Sequence, residues 1–332
     1  MIKFSVIIPL YNCERYIVEC VNSILSQTYP HFEVVIVNDG STDGSRDIVE
    51  SYTDSRVRIV NKENGGLLHA RLTGLCNAEN DYIVFVDSDD RIRPDLLQDL
   101  AVRFENGADV AVYKLVAFSE NGYSPEPQGL YSNGSAFVAE DRRELLKKLL
   151  TSGDINSIVC KSFKKDLIPV AEMEAYPRIA IGEDALFTLH IFERYTRLVY
   201  LDNVYYDYRQ FSDSMTHKLK DSNYIDNLFR FNLYYSVADK YFDDSRDVVS
   251  LIDKLFFKMT ISCVANPRFC VESREQYTKF IDLVCDSSLF SEKIKDCYRK
   301  QSVVYRIVLK NIMKKRVRIL LFMRKVLKIL PS

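Results

Sequence analysis

The chain lacks the groupings on which metal-stapled and secreted scaffolds depend. Its eight cysteines are scattered, at positions 13, 20, 76, 160, 263, 270, 285 and 297. No two form a C-x-x-C pair, and none clusters with the four histidines, His31, His69, His190 and His217, so structural zinc is not expected. There is no apolar run of about 18 residues, which argues against a membrane-spanning helix. No signal-peptide layout precedes the first strand-like segment, Lys3–Leu10. A reducing cytosol with buried thiols is the expectation. No G-x-G-x-x-G follows the first strand, so a dinucleotide-binding domain is not supported. Glycine is missing after Gly182, and acidic residues are missing from 301–332.

Apolar residues make up 47% of the 332, enough for a full core. The net charge is only −1, but residues 301–332 hold nine Lys/Arg, leaving 36 basic against 46 acidic residues in 1–300, a net of −10 there. An acidic body argues against a general nucleic-acid binder. The organising stretch is Ile83-Val84-Phe85-Val86-Asp87-Ser88-Asp89-Asp90. Four apolar residues in a row read as a strand buried on both faces, the kind found in parallel sheets covered by helices. It ends in three carboxylates within four residues, whose repulsion and desolvation a divalent cation relieves. Oxygen-only ligands suit Mg²⁺ or Mn²⁺, which also bridge to a substrate's phosphates. The carboxyl end of a strand in an open α/β sheet is where ligands bind.

Around it, strands alternate with helices. Phe4–Pro9 is followed by a helix over Glu14–Gln27. The strand Glu33–Val37 runs into Asn38-Asp39-Gly40-Ser41-Thr42-Asp43-Gly44 and a helix over Ser45–Tyr52. Val57–Val60 leads through the loop Asn61–Gly66 to a helix over Leu67–Leu75. This is the spacing of βαβ units and predicts a parallel, doubly wound sheet. Carboxylates at successive strand ends, Asp39 and Asp87/Asp89, suit a nucleotide diphosphate.

The ordered set Val6-Ile7-Ile8-Pro9-Leu10-Tyr11-Asn12, Asn38-Asp39-Gly40-Ser41-Thr42-Asp43, Asn64-Gly65-Gly66 with Ala70-Arg71, and Asp87-Ser88-Asp89-Asp90 resembles the family 2 (GT-A fold) glycosyltransferases over residues 1 to about 100. The resemblance implies that Asp39 bonds the nucleotide base, with Pro9 and Tyr11 packed around it. Arg71 would lie near the nucleotide or diphosphate, Asp87 on the ribose side with Ser88 beside it, and Asp89 on the metal. Where many relatives have Ala-Arg-Asn-x-Gly, this chain has Ala70-Arg71-Leu72-Thr73-Gly74, so any role of the Asn side chain is absent.

Further along, Asp109–Phe118 reads as a strand, 119–136 as a loop or hairpin and Glu140–Leu150 as a helix. Lys161 stands where relatives of the polysaccharide type keep a lysine on the acceptor side. Gly182-Glu183-Asp184 opens a helix; its acids suit a helix N-terminus, and capping is one reading. The resemblance implies a sharper one, with Asp184 as general base on the acceptor hydroxyl and Glu183 orienting the acceptor. Two strand-like segments, Leu198–Leu201 and Val204–Tyr208, lead to Arg209, which can neutralise a diphosphate in a bidentate manner. Ser212 and Ser214 could donate to phosphate oxygens, and His217 could be a third metal ligand.

From Asn223 the apolar spacing is helical, and this part reads as a helical extension. In the last 25 residues Ile312, Met313, Ile319, Leu320, Met323, Val326, Leu327 and Leu330 form a stripe, with Lys and Arg mostly on other faces. A basic amphipathic helix of this kind suits an anionic membrane surface; docking on the acidic body and binding a partner are the other readings.

The expected architecture is therefore an α/β GT-A fold: a Rossmann-like nucleotide-sugar-binding half (1–100) with a mostly parallel sheet, an acceptor-binding half (101–220), a helical extension (221–305) and a basic membrane-surface helix (306–332). The expected activity is inverting, Mn²⁺- or Mg²⁺-dependent transfer of a sugar from a nucleotide diphosphate, with a UDP-sugar favoured. The acceptor would be a hydroxyl of a lipid-linked or growing bacterial surface glycan, reached from the inner face of the cell membrane. The alternatives are a sugar nucleotidyltransferase, which the segment Pro9–Glu14 fits poorly for want of a glycine-rich loop with Arg and Lys, and a non-catalytic membrane-recruited scaffold.

Overall fold

The computed structural model describes residues 1–152, 155–210, 221–266, 271 and 273–327. The chain divides into two compact units, Met1–Leu149 with Asp154–Phe211, and Leu150–Gly153 with Ser212–Ser332.

The first unit is built on one mixed sheet. Its strands are β1 (Phe4–Leu10), β2 (Phe32–Asp39), β3 (Val57–Lys62), β4 (Tyr82–Phe85), β5 (Arg91–Ile92), β6 (Val110–Ser119), β7 (Gly122–Tyr123), β8 (Ala136–Val138), β9 (Lys161–Lys164) and β10 (Arg197–Arg209). The spatial order is β3-β2-β1-β4-β9-β6-β10-β5, with β7 on β6 and β8 on β10. The helices α1 (Ile17–Leu25), α2 (Ser45–Glu50), α3 (Leu67–Asn77), α4 (Leu96–Glu105), α5 (Arg142–Thr151), α6 (Val170–Glu174) and α7 (Glu183–Arg194) connect the strands.

The parallel pattern read from the βαβ spacing covers β3-β2-β1-β4. Beyond β4 the sheet is mixed, because β9 inserts antiparallel between β4 and β6. Four residues with no alternation of character carry too little periodicity to announce such a strand. The two segments expected at 198–201 and 204–208 are one strand, β10, with register shifts between Tyr200 and Tyr206.

Central strands are apolar because both of their faces are covered. Val6, Ile7, Ile8, Val35, Ile36, Ile83, Val84, Phe85 and Val86 are fully buried. Gly74 shows how closely α3 lies on this sheet, since a Cβ there would stand 2.2 Å from Ile7 Cγ2. Helix α1 is shorter than the expected Glu14–Gln27. Residues 13 and 14 instead tie the loop after β1 to the loop after β2: Cys13 N donates to Ser45 Oγ (2.8 Å) and Gly44 N donates to Glu14 Oε2 (2.7 Å).

The second unit is helical: α8 (Asp221–Tyr241), α9 (Arg246–Ala265), α10 (Arg274–Asp286), α11 (Ser288–Cys297), α12 (Val303–Met313) and α13 (Val317–Leu327). Phe231, Tyr234, Val237, Val248, Ile252 and Phe256, all at the expected helical spacing, are buried in it. The basic terminal stretch differs from expectation. It is two helices rather than one, broken at Lys315, whose φ is +47° and whose ammonium reaches Asp282 (2.9 Å) and Asp286 (3.2 Å) on α10. Both helices pack on α9 and α10. Ile312 and Leu320, expected to face lipid, are buried; Leu330 lies outside the described residues.

Candidate active site

The chemistry gathers where β1, β2 and β4 end and α7 begins. Asp39, the last residue of β2, is 3% exposed. Its Oδ1 accepts from Lys62 Nζ (2.6 Å) and Gly65 N (2.9 Å), and its Oδ2 from Gly66 N (2.8 Å). The carboxylate thus organises the glycine loop that leads into α3. Asn12 ties the neighbouring loops together, accepting from Thr42 N (2.8 Å) and donating its own N–H to Ser41 Oγ (3.1 Å). Pro9 is buried within β1, opposite Val37, while Tyr11 is exposed beyond the strand end.

The three carboxylates after β4 have three different surroundings. Asp90 is buried and accepts from Tyr206 Oη (2.7 Å) and Arg209 N (2.6 Å), so it ties the β4 loop to β10. Asp87 Oδ1 accepts from Arg71 Nη2 (2.9 Å). No ion pair among the described residues reaches Asp89. Burial, followed by the charge of Asp87, pushes its carboxyl up to about 6. Ser88 between them is buried.

Gly182, in the left-handed region at φ +96°, turns the chain so that Glu183 and Asp184 open α7 facing α3. Arg71 meets them: Nη1 donates to Asp184 Oδ1 (2.5 Å) and to Glu183 Oε1 (3.3 Å). Burial and the adjacent Asp184 raise the Glu183 carboxyl, while Arg71 lowers it. Carboxylates from two distant parts of the sequence therefore converge on one cation.

Not every expected site residue points into this place. Lys161 was expected on the acceptor side, but its side chain is 1% exposed and its ammonium donates to Ile155 O (2.8 Å) and Ser157 O (2.5 Å). Burial lowers it to about 8. Its visible work is to hold the segment before β9. Arg209 stacks between Tyr16 and Phe118, at 4.7 and 4.5 Å, and donates to Asp89 O (2.8 Å) and Glu19 Oε2 (2.5 Å). Its charge is paired with Glu19 in this structure. Ser212, Ser214 and His217 lie outside the described residues. Sequence reasoning missed Glu19, which holds both Arg209 and Arg91 (2.6 Å). It also missed Arg178, which packs over Gly66 and bonds Asn64. Nothing in the local pattern marks either one.

An open sheet whose strand ends gather a glycine loop, a carboxylate without an ion pair among the described residues and a second acidic pair is laid out to bind a ligand at those ends. A family model described as glycosyl transferase family 2 matches residues 5–167. Glycosyltransferase GlyA of Streptococcus pneumoniae serotype 4 is 32% identical over 220 residues, 62% of this chain, although the chain spans only 30% of GlyA. Glycosyltransferase GlyG of the same organism is 31% identical over 225 residues, 64% of this chain and 72% of GlyG. The crystal structure of S. aureus TarS 1–349 in complex with UDP-GlcNAc superposes with a TM-score of 0.69 at 23% identity, over 98% of this chain and 92% of that one. The fold is GT-A, and the chain belongs to glycosyl transferase family 2.

Proposed function

We propose that the chain is an inverting, metal-dependent transferase that moves a sugar from a nucleotide diphosphate, with a UDP-sugar favoured, to a hydroxyl of a lipid-linked or growing bacterial surface glycan. The observation that carries this reading is the convergence of Asp184 and Asp87 on Arg71, at 2.5 and 2.9 Å, which brings the acid opening α7 beside the carboxylates after β4. Asp184 takes the proton of the acceptor hydroxyl as its oxygen bonds the anomeric carbon. The bond from that carbon to the diphosphate breaks, and its electron pair leaves with the nucleotide. Attack from the face opposite the leaving group inverts the anomeric centre. Glu183 orients the acceptor, and Asp39 with its glycine loop borders the base.

A divalent cation suits Asp89, a half-buried carboxylate raised by its surroundings and left without an ion pair among the described residues. Among those residues no cluster of three His, Cys, Asp or Glu side chains forms a complete cage. Mg²⁺ is commonly held by one or two carboxylates plus substrate phosphates, and that is the arrangement this donor set fits. Held by Asp89, Mg²⁺ or Mn²⁺ would supply charge neutralisation for the departing diphosphate. TarS 1–349 has been crystallised with UDP-GlcNAc and with UDP, which supports a uridine donor for this relative too.

The deciding experiment is calorimetric binding of UDP, GDP, CDP and dTDP, with and without Mn²⁺, to the wild type and to Asp89→Ala. Metal-dependent UDP binding lost in the variant is the expected result. Binding of none of them by folded protein overturns the reading.

We also place the chain on an anionic membrane surface, peripherally. No helix among the described residues is long and apolar enough to cross a bilayer. Helices α12 and α13 turn one side to α9 and α10. Their exposed positions include Val303, Val304, Ile307, Ile319 and Phe322 together with Lys310, Lys314, Arg318 and Lys325. Apolar side chains ringed by cations, with no acid between 301 and 327, fit the boundary between headgroups and acyl chains.

A further inference from the structure

We infer that Arg71 is a positioning residue for the acceptor-side base: its single guanidinium bridges Asp87 to Asp184 and holds the Asp184 carboxylate in place, rather than gripping the donor's diphosphate. The inference rests on the reading of Asp184 as the base. Arg71 lies one turn into α3 with its side chain 1% exposed, so it offers no open edge to a ligand. Both Nη atoms are occupied by carboxylates, at 2.9 Å on Asp87 and at 2.5 and 3.3 Å on Asp184 and Glu183. Phe85 lies beneath the guanidinium at 5.6 Å and closes it from below.

A rigid planar fork can satisfy two acids in fixed directions, whereas an ammonium is a point charge on a flexible stem. Lys161 has its ammonium committed to two backbone carbonyls. The counter-charge falls to Arg71, whose own charge is stabilised by the acids around it.

The test compares Arg71→Lys and Arg71→Met with the wild type, each alone and combined with Asp184→Asn. UDP affinity is measured by calorimetry, folding by circular dichroism and turnover by steady-state kinetics. The expected result is UDP affinity within about threefold of wild type with kcat reduced about 30-fold or more. Arg71→Lys should be milder than Arg71→Met. In the Asp184→Asn background either change should cost less than about threefold, because the group it positions is already disabled. A loss of UDP affinity that accounts for the lost activity overturns the inference and makes Arg71 a donor ligand. So does an undiminished cost in the Asp184→Asn background. If neither Arg71 variant folds, Phe85→Leu decides: freeing the guanidinium from the ring beneath it should lower kcat with UDP affinity within about threefold of wild type, and unchanged kcat, or a loss of UDP affinity that accounts for the lost activity, overturns the inference. Unchanged turnover in Asp184→Asn alone is a different failure, that of the base assignment itself.

Discussion

Two buried arginines, one in each unit, show how differently the two halves of this chain use charge. Arg71 in the sheet unit and Arg324 in the helical unit are 1% and 6% exposed, and each lies over an aromatic ring, Phe85 at 5.6 Å and Tyr277 at 5.5 Å. Arg71 answers three carboxylates. Arg324 donates to Val264 O (2.9 Å) near the end of α9, where a carbonyl without an intrahelical partner and the negative end of the helix dipole both favour a cation. The first arrangement concentrates like charge and holds it with one cation, as expected of a place that does chemistry. The second satisfies backbone and stabilises packing.

The sharpest way to break this contrast lies in the sheet unit. Asp184→Asn is isosteric and should leave folding and UDP affinity near wild type while lowering kcat about 10²–10⁴-fold, the usual contribution of a general base. Steady-state turnover of a UDP-sugar checks it, and unchanged kcat would show the acids of α7 to be caps. The matching change in the helical unit, Arg324→Met, removes a charge-assisted hydrogen bond and should cost about 2 kcal/mol in denaturant unfolding. Turnover per folded molecule should stay unchanged. Equal loss of activity from the two units would dissolve the comparison.

The same contrast explains what could be read from the sequence. Asp39, Asp87, Asp89 and the Glu183-Asp184 pair were visible because each ends a strand or opens a helix, and local order carries that signal. The partner of Asp184 was not visible, because Arg71 lies 113 residues away and only the closed sheet brings them together. Lys161 was read as an acceptor-side group from its place in the family pattern, and local sequence does not report that its ammonium is buried against two carbonyls. Strand β9 was too short to show a period. The terminal helix was read with a continuous stripe, and the break at Lys315 turned Ile312 and Leu320 inward while leaving Phe322 outside.

A smaller effect should appear in the pH dependence of stability. Glu183 and Asp89 are raised in the folded chain, from 4.5 to about 7 and from 3.8 to about 6, chiefly by burial. A carboxyl raised on folding favours the folded state while it stays protonated, and that contribution is lost as pH rises through the folded value. The unfolding free energy should therefore be about 1–3 kcal/mol greater near pH 5 than near pH 8. Urea titrations of metal-free protein at several pH values measure it. Glu183→Gln should reduce the slope between pH 5 and 7, leaving the part due to Asp89 and to Asp90, which burial raises to about 8, whereas Arg324→Met should shift the profile down without changing its slope. A slope unchanged in Glu183→Gln would place the titrating groups elsewhere.

The smallest expected effect concerns the outer face of the helical unit, where charge and apolar area act without a built pocket. Phe322 is 66% exposed on α13, one turn from Ile319 and beside Arg318 and Lys325. Fully burying an aromatic side chain is worth about 1.5–3 kcal/mol, and insertion at a headgroup boundary realises part of that. Phe322→Glu also sets a negative charge against an anionic surface. Co-sedimentation with vesicles containing phosphatidylserine should fall about tenfold in this variant, and added salt should weaken wild-type binding by screening the lysines. Soluble turnover should be untouched, since Phe322 belongs to the helical unit and the acids at the strand ends belong to the sheet unit. Equal binding of wild type and variant would reassign this face, leaving contact with another protein surface as the occupant to pursue.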